Sequence, residues 1–147
     1  MKEVFKKMNM IGHEAYKQTN IITADAKRLV LMCYEEAINN LRVAKENYLN
    51  KNYAAKGKAV QKALDIINEL RVALDFEKGG DIAKNLDRIY TFLTRHILNA
   101  DLKKDFKGLE QAASILSDLK SSWEQVFNGN AGSKYLNASE TQSSLIF

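Results

Sequence analysis

The chain reads as an all-α protein: an antiparallel up-down four-helix bundle with an N-terminal arm and a flexible C-terminal tail. Three observations carry that expectation. The 147 residues include no proline, which suits long uninterrupted helices and disfavours a turn-rich β-sandwich. Apolar residues recur at steps of three and four along four successive segments, the spacing that lines one face of an α-helix. Short polar breaks separate these segments, and short connections make consecutive helices antiparallel neighbours. With 46% hydrophobic residues the chain is long enough for one domain with a real core and too short for two of ordinary size.

Residues 1–22 are polar and mixed without a sustained period, and read as an extended arm that docks through Tyr16, Ile21 and Ile22. The helical domain is expected over 23–128. Thr23 is a candidate N-cap, with Asp25 in the first turn. The first helix runs to about Lys51 on a heptad-like stripe of Val30, Tyr34, Ala37, Leu41, Ala44 and Tyr48. Asn50 and Asn52 tolerate turn conformations and lead into a second helix striped by Tyr53, Val60, Leu64, Ile67, Leu70 and Leu74. Gly79 and Gly80 are read as the stop that ends it, and Asp81 puts a negative charge in the first turn of the next helix. That third helix carries Ile82, Leu86, Ile89/Tyr90, Leu93, Ile97 and Ala100, with Lys84, Asp87, Arg88 and Thr91 opposite. Asp105 caps a fourth helix with Leu109, Ala112, Leu116, Leu119, Trp123 and Val126 on its stripe. Central positions on the four stripes predict burial of Leu41, Leu64, Leu93 and Trp123. From 129 to 147 the composition turns to Gly, Ser and Asn, then ends in Leu145, Ile146 and Phe147.

Catalytic and metal patterns are missing where they would be needed. A di-iron bundle requires Glu-x-x-His pairs so that both ligands meet on one face, yet Met10 and Leu93 stand three residues before His13 and His96. There is no H-E-x-x-H, no Cys-x-x-Cys and no phosphate-binding glycine loop, so neither enzyme nor cofactor is expected. The single cysteine, Cys33, lies in the apolar run LVLMCY and reads as a small buried hydrophobe. Glu35 and Glu36 point about 100° apart on a helix and read as solvated charge, not an acid/base pair. The net charge of +4 comes from lysines interspersed with acids. Basic residues from Arg42 to Arg71 are interrupted by Glu46, Asp65 and Glu69, and no aromatic cluster interleaves to stack bases, so nucleic-acid binding is not expected. MKEVFKKMNMIGHEAYK has no apolar run of signal-peptide length, and no stretch approaches the roughly 20 apolar residues of a membrane span. A cytoplasmic protein without membrane insertion is expected.

What remains is apolar surface in surplus. Leu29, Leu31, Ile38, Ile66, Val72, Phe92 and Leu98 fall partly off the stripes, and together they suggest second apolar edges that form grooves for a partner's amphipathic segment. Ile66 and Phe92 are the candidate contacts from this argument.

The run from Glu77 to Asp101, EKGGDIAKNLDRIYTFLTRHILNAD, closely resembles part of the flagellar export chaperone (FliS) family, in which an E-K-G-G-x-I-A-x-N-L run opens the third helix. Other motifs fall in the family's order between Ala15 and about Val126. Ala15-Tyr16-Lys17-Gln18 is similar to its A-Y-x-Q, Thr23 to Glu36 to its first helix start, Asn99 to Asp101 to its third-helix ending, and Ser121 to Val126 to its A-W-K-Q. Ala26, Cys33 and Glu36 replace the family's proline, leucine and glycine. The resemblance implies a cytosolic chaperone that binds the disordered C-terminal segment of flagellin, prevents its premature polymerisation and hands it to the flagellar type III export gate. Tyr16 is implied as an arm residue touching cargo or gate. The alternative is a generic helical adaptor or anti-regulator for another flagellar protein.

Overall fold

The computed structural model describes residues 24–129, and these form four α-helices: α1 (Ala24–Leu49), α2 (Tyr53–Val72), α3 (Phe76–Leu102) and α4 (Phe106–Phe127). No strand occurs among the described residues. The helices close a ring in which α1 packs on α2 and α4, and α3 packs on α2 and α4. Connections of three residues make sequential helices antiparallel, as the short polar breaks predict.

Each connection has its own local chemistry. Lys51 and Lys104, in the first and third turns, take left-handed backbone at φ 61 and 56, and each is followed by the N-cap of the next helix. Asn52 caps α2 through Ala55 N at 3.3 Å, Asp75 caps α3 through Lys78 N at 2.9 Å, and Asp105 caps α4 through Gly108 N at 3.2 Å. The sequence-based boundary between α2 and α3 needs correction. Helix α2 stops at Val72, and the glycine pair lies inside α3, where Gly80 (φ 51, ψ −127) kinks the helix after one capped turn. Only glycine takes that backbone without strain, so Gly80 interrupts the helical path after the short first segment that starts at Phe76, and it is that segment, not α2, that the glycine pair ends.

The stripes meet in one core. Leu41, Leu64, Leu93 and Trp123 are all buried, as are Val30, Tyr34, Ile67, Leu70, Leu86, Tyr90, Ile97 and Leu116. Tyr53 leaves the expected stripe and is half exposed at the mouth of α2, while Leu74 reaches the core from the α2–α3 turn. At the α3–α4 hairpin the backbones approach closely, since a Cβ placed on Gly108 would stand 2.6 Å from Ala100 Cβ.

One polar knot sits inside this apolar core. Trp123 Nε1 donates to Tyr34 Oη at 2.9 Å, and the Tyr34 hydroxyl also bonds the Tyr90 hydroxyl, joining α1, α3 and α4. Burial raises the pKa of both phenols well above the ordinary tyrosine value. Satisfied polar groups are tolerated at such depth; orphaned ones are not.

Candidate functional site

Among the described residues, the outer face of α4 is one part of the bundle shaped to receive something. Its exposed positions are small or polar, including Ser114, Ser117 and Ser121, and a groove opens on either side. Between α1 and α4 lies a groove of about 650 Å³, with Leu41 and Leu109 among its apolar lining and Leu49 and Ala113 beside them. Leu49 is 55% exposed although it is a large apolar residue. Arg42, Glu46 and Asp118 supply charge of both signs, and the Lys45–Glu110 ion pair ties α1 to α4 there. Between α3 and α4 a smaller groove of about 320 Å³ is lined by Phe92, His96, Gln111, Ser114 and Ile115. Ser114 lines both, so the two grooves flank one helix.

Helix periodicity puts Phe92 and His96 on the same side of α3, four residues apart, and their rings stack at 5.4 Å between centroids. Phe92 is 53% exposed, and His96 is partly buried with its Nε2 lacking a protein hydrogen-bond partner. Ile115 faces them from α4, packed on the edge of the core.

Of the residues expected to contact a partner, Phe92 stands in a groove. Ile66 does not: it is fully buried, which overturns its assignment to surplus surface. A ring helix faces two neighbours and must bury an arc wider than a heptad seam, so Ile66 and Ile67 are both enclosed. Leu29 and Ile38 are absorbed the same way, whereas Val72 and Leu98 remain exposed. Tyr16, Ile21 and Ile22 lie outside the described residues. Ile115, Leu49 and Ala113 were missed by sequence reasoning. The signal for Ile115 was present, because it precedes the stripe residue Leu116 as Phe92 precedes Leu93, which sets both beside the core.

Chemically the face is suited to apolar and hydrogen-bonding contact. Among the described residues no three His, Cys, Asp or Glu side chains gather as a metal-holding group, and no helix is long and apolar enough to cross a membrane. Cys33 is buried in the core, its thiol pushed up to about 12 by burial, with Glu69 and Glu36 adding to the rise. It is protonated and unreactive at neutral pH. Three of the basic residues on α1 and α2 are held in ion pairs with neighbouring helices: Lys45 with Glu110, Lys56 with Asp101 at 2.5 Å, and Arg71 with Asp87 at 2.7 Å.

The family model described as flagellar protein FliS matches residues 8–130. The chain is 38% identical over 117 residues to the flagellar secretion chaperone FliS of Vibrio cholerae serotype O1, an alignment covering 77% of this chain and 86% of the relative. It is 34% identical over 120 residues to the Salmonella typhimurium protein of that name, covering 78% and 89%. Against the Bacillus subtilis protein of that name the identity is 26% over 113 residues, covering 77% and 84%. These are names of chaperones and not of enzymes, and the matched span contains all four helices and both grooves beside α4. The chain therefore belongs to the FliS family of flagellar secretion chaperones.

Proposed function

We propose that this protein binds the disordered C-terminal segment of flagellin in the cytoplasm, keeps it from polymerising, and hands it to the flagellar type III export apparatus. The observation that carries the reading is the pair of grooves flanking α4, with Phe92 and Leu49 exposed at their edges. A disordered chain forms an amphipathic helix when a partner supplies the missing apolar face, and grooves between helices supply such faces. Phe92 is the aromatic anchor of the α3–α4 groove, and His96 Nε2 offers a hydrogen bond to a polar side chain of the cargo. The organisation that serves this role is an arm over residues 1–22, a bundle over 23–128 and a tail over 129–147. Tyr16, Ile21 and Ile22 of the arm then act beside the grooves, covering them or gripping cargo.

Calorimetric titration with a flagellin C-terminal peptide tests the reading. Binding is expected with a clearly negative heat-capacity change and weak salt dependence, because apolar burial and ordering of the peptide drive it. Phe92→Asp is expected to weaken it at least tenfold without unfolding the bundle, since the side chain lies half outside it. Affinity that collapses as salt rises, with near-zero heat-capacity change, refutes an apolar docking mode. Unaltered affinity in Phe92→Asp removes the α3–α4 groove from the site.

A further inference from the structure

The family match ends at residue 130, and the chain continues beyond it to Phe147. From Asn130 to Phe147 the chain is a near-neutral polar linker, charged only at Lys134 and Glu140, that carries two apolar groups: Tyr135–Leu136 and Leu145–Ile146–Phe147. The place from which it departs is fixed. Phe127, the last residue of α4, stacks on Trp123 at 5.3 Å, and Lys27 of α1 lies over its ring at 5.7 Å. The root of the tail therefore sits on the α1–α4 seam, the seam that opens further along into the 650 Å³ groove.

Distances agree with that placement. The groove follows α4 from Asp118 back to Leu109, so its near and far ends lie about 14 and 27 Å from Phe127 along the helix. Measured from Gly129, a flexible chain has a root-mean-square reach of about 12–15 Å at Tyr135 and about 20–24 Å at Leu145. The first apolar group reaches the near end of the groove, and the second reaches the level of Ala113, about 21 Å from Phe127 along the helix and one turn short of Leu109. The α3–α4 groove has half the volume and lies on the far side of α4 from Lys27.

We propose that the tail folds back along the α1–α4 seam and that Leu145–Ile146–Phe147 occupies the groove at Leu49, Leu109 and Ala113, as an intramolecular placeholder. As docking, this stands on the geometry alone; as regulation of cargo binding, it rests on the flagellin reading above. Tethering supplies an effective concentration in the millimolar range, enough for a weak apolar contact to be largely formed.

The test uses the full chain and its L145S/I146S/F147S variant, compared by methyl NMR without flagellin. The methyls of Leu49, Leu109 and Ala113 are expected to shift between the two proteins while Ile115 keeps its position. Unchanged groove methyls, or movement of Ile115 in their place, overturn the assignment. Shifts that fade on dilution assign the groove to a second copy's tail and overturn the intramolecular form. Titration with the flagellin peptide then reads the regulatory role: a tail docked in about 70–90% of molecules weakens cargo binding by about three- to tenfold, which the variant regains. Equal affinity overturns competition, and absence of flagellin binding to either protein overturns the cargo reading while leaving the methyl result standing.

Discussion

Tyr34→Phe removes one oxygen on which two other buried groups depend. In the folded protein Tyr34 Oη accepts from Trp123 Nε1 and bonds the Tyr90 hydroxyl, and all three side chains are fully enclosed. Without it, the indole N–H loses the Tyr34 oxygen and the Tyr90 hydroxyl loses its bond where water does not reach, at about 1–3 kcal/mol each, so a loss of about 2–5 kcal/mol is expected. Tyr90→Phe breaks only one bond and leaves Tyr34 still serving Trp123, for about 0.5–1.5 kcal/mol. Combining the two removes both hydroxyls and takes from the indole only the Tyr34 oxygen. The double variant is therefore expected to be more stable than Tyr34→Phe by about 1 kcal/mol, a rescue by a second deletion that independent contributions do not produce. Against the usual 5–15 kcal/mol of a folded domain these differences are large enough to resolve. Urea unfolding followed by far-UV circular dichroism and by the fluorescence of Trp123, the only tryptophan, gives all three values. If Tyr90→Phe costs as much as Tyr34→Phe, or if the double variant is the least stable of the three, the hydroxyls are not arranged as described.

Two other expectations follow from the same structure, and a third from the family resemblance. Burial holds the Cys33 thiol, ordinarily at 9.0, up to about 12, and raises the Tyr34 and Tyr90 phenols above their ordinary 10.0. The folded state keeps these protons longer than the unfolded chain, so stability is intact below pH 9 and falls as pH rises from there, each group steepening the loss toward about 1.4 kcal/mol per pH unit. Cys33→Ala should flatten the decline between pH 9 and 10, and parallel stability curves for the two proteins would refute it. The same glycine substitution should act with opposite signs at two sites: Gly57→Ala, where a new Cβ meets nothing within 4 Å, is expected to stabilise by about 0.5–1 kcal/mol. Gly108→Ala, pressed against Ala100, is expected to destabilise by about 1–3 kcal/mol; equal urea midpoints for the two variants refute the packing argument. Tyr16→Ala should weaken cargo binding or docking at the export gate with little change in Tm, and a large loss of thermal stability would make it a core residue.

The bundle was legible because its determinants are local and periodic. Asp105 announced its cap, and the α4 stripe from Leu109 to Val126 is buried throughout, since helical spacing converts directly into a face. Where several residues satisfy the same local rule, the sequence does not choose among them. Asn50, Lys51 and Asn52 all stand in the first turn, and it is Lys51 that takes the left-handed backbone, because the turn needs that conformation one residue before its cap. Gly79-Gly80 fits a helix stop and a kink equally well, and the choice depends on how α2 and α3 dock. The site was harder still. Whether an off-stripe residue such as Ile66 or Phe92 is covered depends on how far each neighbouring helix wraps around it, a tertiary quantity absent from any single stripe.

The hydroxyl pair of Tyr34 and Tyr90 connects two helices that lie diagonally across the ring. Aliphatic seams that repeat every seven residues are nearly degenerate to sliding, since one helix displaced by a heptad, about 10 Å, still meets apolar surface. A polar contact at a single level removes that degeneracy: any slipped alignment leaves both phenols and the indole facing hydrocarbon. The core thus carries its own alignment mark, one that holds the walls of both α4 grooves at the same offset in every molecule.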